Sequence, residues 1–241
     1  MNTNTKSSLD SLVSQIYHDF QNDFNAENFP SVFDWMAMVN SAGNFGKGGH
    51  PLALSAAPIF QTPVRLQPKL MLVGNNNSWF DSNDSKAAQK NLAQLVGAAP
   101  AVSSYMVHDT TFGRSLRKVF GRDKGPFSGL NKLGVLQDCV GINRLWIQIG
   151  PDDKPKGASR GMKSVAADPS PILDQSFRSY CESRTRQLIE AIQPEVLVLI
   201  GSEAQTLYQH APKPEGIKVV DARHPARGGE QKMADSIRPY L

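Results

Sequence analysis

The chain has 241 residues, 40% hydrophobic and 20% charged, the ordinary make-up of one large soluble domain or of a domain with an extension. Two cysteines, Cys139 and Cys181, are too few for an all-cysteine cluster or a structural zinc site, and no apolar run approaches the roughly 18 residues of a membrane span. The net charge is +4 with an isoelectric point near 9.1; residues 1–64 hold two lysines against five acidic residues, so the basic surplus lies in residues 65–241 and suits a polyanionic partner such as DNA.

The N-terminus, Met-Asn-Thr-Asn-Thr-Lys-Ser-Ser, is polar and lacks the apolar stretch of a secretory signal, so a cytosolic protein with reduced, buried thiols is expected. Leu9, Leu12, Val13, Ile16, Phe20 and Phe24 then recur at helical spacing and predict an amphipathic helix over 8–24. A second short helix is expected over 31–40, with Ser31 as its cap. Residues 41–68, rich in glycine and proline, read as a long connection. His50 lies there in Gly-Gly-His-Pro, and a lone histidine in such a loop carries no assignment.

Leu70 to Val73 is a short uncharged apolar run that stops at Gly74 and is followed by Asn75, Asn76 and Asn77. This pattern predicts a buried parallel strand ending at Gly74, with the amides just beyond its carboxyl end, where α/β sheets bind ligands. Amides there can hold a water or read a base edge but cannot act as strong bases. Trp79 and Phe80 come next, then a pattern that predicts a helix over 86–96 and a loop over 97–108.

Residues 110–120 predict a clearer helix, capped by Asp109 or Thr110, with Phe112, Leu116, Val119 and Phe120 inside. Arg114, Arg117 and Lys118 are expected outside, forming with Arg122 and Lys124 a basic cluster that is either a solvated face or a phosphate contact. Residues 139–149 read as the second strand, interrupted by Asn143 and Arg144. Polar side chains in a buried strand are either satisfied structurally or aimed into a pocket. Residues 150–163, with four basic residues, Lys156 and Arg160 among them, read as a flexible loop.

A long helix is expected over 174–193, with Phe177, Cys181, Leu188 and Ile192 as its inner stripe. Val196 to Ile200 is the third strand, and Ser202 with Gln205 makes a capping box for the next helix. Residues 217–221 are the fourth strand, running into Arg223-His224-Pro225-Ala226-Arg227-Gly228-Gly229, and the last dozen residues form a short helix and tail. Four short strands joined through helices predict an α/β fold, a parallel sheet with helices on both faces. Residues 1–64 read as an N-terminal helical extension and loop, and residues 65–241 as the α/β/α domain.

Three pieces thus fall at strand ends: Gly74-Asn75-Asn76-Asn77-Ser78, Asn143, and His224-Pro225. In this order and spacing the chain resembles the uracil-DNA glycosylase superfamily, over roughly residues 69–230. Gln193-Pro194-Glu195 with the strand and turn that follow is similar to the family's third strand and next helix. The resemblance implies a three-layer α/β/α sandwich with a short four-stranded parallel sheet. It implies a monomeric, metal-free and cofactor-free DNA N-glycosylase that flips out a base and hydrolyses its glycosidic bond.

By position, Asn76 matches the water-positioning residue, Asn143 the base-reading amide, and His224 the donor to the base carbonyl. Asn75, Asn77, Trp79 and Phe80 fall where the base is held or stacked upon. Arg227 and Gly228 fall in the loop that enters the minor groove, and Arg114, Lys118, Lys156 and Arg160 are candidates for DNA contact. The chain departs from the family in carrying Asn77 where proline is usual, and Ala226-Arg227-Gly228 where Ser-Pro and a large apolar residue are common. Three consecutive amides make a more polar pocket than uracil needs, which points to a modified pyrimidine. The role is then base-excision repair or defence against modified foreign DNA. Two other readings stand beside it: a catalytically idle relative that binds DNA or protein, and a metal-dependent hydrolase of free nucleotides, which no glycine-rich phosphate motif supports.

Overall fold

The structure is a computed structural model that describes residues 3–34, 60–78, 102–107, 111–121, 128–149, 175–226 and 228–241. Four strands, β1 (Leu70–Ser78), β2 (Val140–Ile149), β3 (Val196–Ile200) and β4 (Lys218–Ala222), form one sheet in the order β2-β1-β3-β4. Every pairing is parallel. Parallel strands need crossovers, and the crossovers here cover both faces. β3 is buried at all five positions. Each such aliphatic side chain contributes about 1.5–3 kcal/mol by leaving water.

One face of the sheet packs on α1 (Thr3–Asp23) and on the long helix between β2 and β3. α1 presents Leu9, Val13, Ile16 and Phe20 to the core, as its spacing predicts. It is no appendage: Phe20 meets Trp146 of β2 edge-on at 5.4 Å between ring centres. Residues 30–34 are helical, and the remainder of the second predicted helix lies outside the described residues.

The opposite face is covered by α2 (Ser104–Val107), α3 (Thr111–Phe120) and α4 (Leu133–Asp138), all between β1 and β2. α5 (Gln175–Ile192) then returns to the first face, with Phe177, Cys181, Leu188 and Ile192 fully buried as the stripe predicts. A short helix α6 (Gly201–Gln205) with a 3₁₀ turn over Thr206–Tyr208 links β3 to β4. α7 (Glu230–Ile237) and a 3₁₀ turn over Arg238–Tyr240 close the chain on the opposite face. The three-layer α/β architecture expected from the sequence is therefore present. Among the described residues, no helix is long and apolar enough to cross a membrane.

Three local expectations are corrected. β1 does not end at Gly74: it continues through the three asparagines to Ser78, because β2 offers their backbone a ladder. The predicted loop over 97–108 contains the helical turn α2. The capping box at Ser202 does not form, since the helix starts one residue earlier, at Gly201, with Ile200 at the N-cap and no side-chain cap. Gly201 has φ +82°, so the turn out of β3 needs a residue without a side chain. Gln205 instead donates to the carbonyl of Ala222, 3.3 Å away, and ties α6 to the end of β4.

Candidate functional site at the carboxyl edge of the sheet

From β1 the chain goes to β2 on one side, and then crosses to β3 on the other. The crevice between β1 and β3 is thus a topological switch point, and ligands of open α/β sheets bind just outside the carboxyl ends of the strands there. The two strands separate at this point. β1 is paired with β3 only from Leu70 to Val73, and beyond Val73 it runs on with β2 alone. β3 turns away at Gly201. The result is a step: a two-stranded ledge on one side, and on the other the end of β3 and the loop after β4.

Asn143 lies on the ledge, 8% exposed, opposite Gly74 of β1. Its Oδ1 comes within 2.6 Å of where a Cβ on residue 74 would be, so the amide leans across β1 only because that residue is glycine. Arg144, next in sequence, points to the other face, as strand alternation requires. It is fully buried and meets Glu182 at 2.9 Å, Glu203 at 3.5 Å and the hydroxyl of Thr206 at 2.6 Å. Burial lowers the guanidinium pKa, the neighbouring Arg178 adds to that, and Glu182 and Glu203 act against it. Of the two polar residues that interrupt β2, Arg144 is the structural one and Asn143 belongs to the crevice.

His224 follows β4 and is exposed. The backbone N–H of Ala226 donates to its Nδ1 at 3.2 Å, so the neutral ring carries its proton on Nε2. A Cβ on Gly201 would lie 3.7 Å from the His224 Cβ, which brings the histidine over the end of β3. The loop is closed from behind by Gly229, where any Cβ would strike the His224 carbonyl oxygen at 2.0 Å. Gly228, with φ +82°, makes the turn into α7.

Phe112 of α3 packs against the His224 ring at 5.2 Å, and Tyr105 of α2 meets Phe112 edge-on at 5.8 Å. Tyr105 in turn lies on Gly141 of β2, where a Cβ would be 2.3 Å from its hydroxyl. Burial pushes the Tyr105 phenol well above its ordinary pKa. An aromatic chain thus backs the crevice from β2 to the histidine. The sequence marks Phe112 only as an inward residue; its helical phase says that it is inside, and nothing in it says that it touches His224.

The other expected site residues fall as follows. Asn75, Asn76 and Asn77 are on the ledge, where the backbone of Asn76 faces Leu145 and that of Asn77 faces Gln148. Arg114 and Lys118 are exposed on α3. Lys118 approaches Glu230 of α7 at 4.0 Å, and the Ser115 hydroxyl donates to the same carboxylate. Arg117, expected outward, donates instead to the carbonyl of Tyr105 and is only partly exposed. Trp79, Phe80, Lys156, Arg160 and Arg227 lie outside the described residues, as do Arg122 and Lys124. Among the described residues, no three His, Cys, Asp or Glu side chains gather as a metal site.

The chemistry within reach is that of neutral polar groups. An amide offers a donor and an acceptor to a heterocycle edge, and an imidazole Nε2–H offers a donor to developing negative charge. No protein-family model matches the chain, and no curated protein is significantly similar to it.

Proposed function

We propose that the protein is a DNA glycosylase of the uracil-DNA glycosylase type, acting on uracil or a modified pyrimidine in base-excision repair or in defence against modified foreign DNA. The observation that carries this reading is the pairing of Asn143 and His224 across one switch-point crevice. His224 overhangs β3, and Asn143, on β2, leans its amide over β1, the strand between them. The two groups thus flank one crevice, where a flipped pyrimidine would have a hydrogen-bond partner on each side.

Cleaving an N-glycosidic bond leaves positive charge on the sugar and negative charge on the base. Asn143 reads the edge of the flipped base, and His224 donates through Nε2–H to its oxygen as charge builds there. Asn76 is assigned the attacking water, which needs orientation more than a strong base because the sugar cation is itself electrophilic. Trp79 or Phe80 stacks on the base. Arg114, Lys118, Lys156 and Arg160 meet phosphates, and Arg227 with Gly228 enters the space the base has left.

One observation favours a second reading, an idle relative that binds DNA or protein. The backbone of Asn76 is part of the β1–β2 ladder, and not of a loop free to close on a sugar. A single assay separates the two. Single- and double-stranded oligonucleotides carrying uracil or modified cytosines or thymines are incubated with the protein in EDTA, then treated with alkali to break abasic sites. Cleavage of one substrate is expected, with Asn76→Ala and His224→Ala each lowering it by about 10²–10³. Intact DNA throughout, with binding retained, would move the protein to the second reading.

A further inference from the structure

β2 does not run regularly past the site. Across the ladder Asn76 faces Leu145 while Asn77 faces Gln148, so Trp146 and Ile147 are extra on the β2 side. Such an irregularity re-aims the side chains beside it. It begins after Leu145, and side chains hold the backbone just before it, where Asn143 still faces Gly74 in register. The Trp146 indole N–H is shared between the carbonyl of Asn143 and the hydroxyl of Thr185, each at 3.1 Å. The Thr185 hydroxyl donates onward to the carbonyl of Arg144 at 3.4 Å. Trp146 is 1% exposed and Thr185 not at all. Two successive carbonyls of β2, those of Asn143 and Arg144, are therefore held by one indole and one hydroxyl, and the hydroxyl comes from α5.

We infer that Thr185 is a positioning residue for Asn143: its hydroxyl holds the Trp146 indole at the start of the irregular stretch and the Arg144 carbonyl next to Asn143, and so sets where the Asn143 amide lies over Gly74. The inference rests on the reading of Asn143 as the base-reading amide. Without the hydroxyl, the Arg144 carbonyl loses a donor and the indole loses one of two acceptors. The indole also donates to the Asn143 carbonyl, so its displacement reaches the backbone from which the amide projects. Thr185 lies one turn beyond Cys181 on the inner stripe of α5, where an aliphatic residue would serve packing alone.

Thr185→Val keeps the shape of the side chain and removes only the hydroxyl; Thr185→Ser keeps the hydroxyl. Two measurements are made on both variants and the wild type: the side-chain amide resonances of Asn143, and kcat and KM on each cleaved base. Thr185→Val is expected to shift the Asn143 amide resonances and to lower kcat on the preferred base by about tenfold to a hundredfold, the scale of a sub-ångström to ångström misplacement. KM for DNA stays as in the wild type, the preference among bases narrows, and Thr185→Ser restores all of these. Unchanged Asn143 resonances in Thr185→Val overturn the positioning role. Shifted resonances with unchanged kcat and base preference overturn its link to base reading. A wild type that cleaves no base defeats the glycosylase reading by itself, and the resonances, which need no substrate, still decide whether Thr185 positions Asn143.

Discussion

The contact between Gly74 and Asn143 depends on a missing methyl group. Alanine at 74 would put its Cβ 2.6 Å from the Asn143 Oδ1, closer than such atoms approach, so the amide has to swing away. The amide is a side chain and can move, whereas the ladder on both sides of residue 74 holds the backbone. On the proposed reading of Asn143, Gly74→Ala is therefore expected to leave the fold intact and to cut cleavage of the preferred base by on the order of a hundredfold. Steady-state cleavage together with a melting curve checks it: activity near wild type, or a collapse of the melting temperature, would refute this account of the contact. Gly229 has a different part. Its absent side chain makes room for the His224 carbonyl, a backbone group that cannot turn aside.

Among the elements, β2 carries most of the consequence, because two neighbouring residues of it serve opposite faces. Asn143 faces the crevice, and Arg144 joins α5 and α6 through Glu182, Glu203 and Thr206. Removing the cation takes the buried partner from Glu203 and leaves Glu182 the more distant Arg186, at 3.9 Å. Arg144→Met should therefore cost about 3–5 kcal/mol, as breaking a buried ion pair does. The pair between Lys69 and Glu195, about half exposed on both sides, should contribute only about 0–1 kcal/mol, so Lys69→Met is nearly neutral. Urea denaturation of the two variants gives the comparison directly, and equal losses would show that burial does not set the difference.

For the molecule as a whole, the buried acids without charge define an alkaline limit. Burial pushes the Cys181 thiol up to about 12 from an ordinary 9.0, and it raises Cys139 as well. Tyr105 and Tyr208 are raised from 10.0, in both cases mainly by burial. The folded chain thus keeps protons that the unfolded chain releases. This stability is complete below about pH 9 and is lost as the pH rises toward the folded values, by about 1.4 kcal/mol per pH unit for each group. Urea midpoints should fall steeply between about pH 9 and about pH 11, and less steeply in Cys181→Ala. A flat profile over that range would contradict it.

Hydrophobic patterning determined the class of this fold, a parallel sheet with helices on both faces, and the strand order β2-β1-β3-β4 came only with the tertiary structure. The run Val196–Ile200 is β3 to the residue, and the stripes of α1, α3 and α5 point inward at the positions their spacing assigns. Hydrophobic period is a local property, and the sequence states it directly. The types and order of the candidate site residues were also legible, since Asn143 and His224 follow or interrupt strands that the pattern identifies. Only the tertiary structure decided what depends on a neighbouring strand or helix. β1 extends through the asparagines because β2 pairs with it. Arg144 is separated from Asn143 by which face each meets. Gly201 starts a helix where Ser202 was expected to cap it, because the chain must turn sharply out of β3. Phe112 and Thr185 acquire their parts through contacts with His224 and Trp146, residues more than 30 positions away, and no local pattern records a contact across that distance.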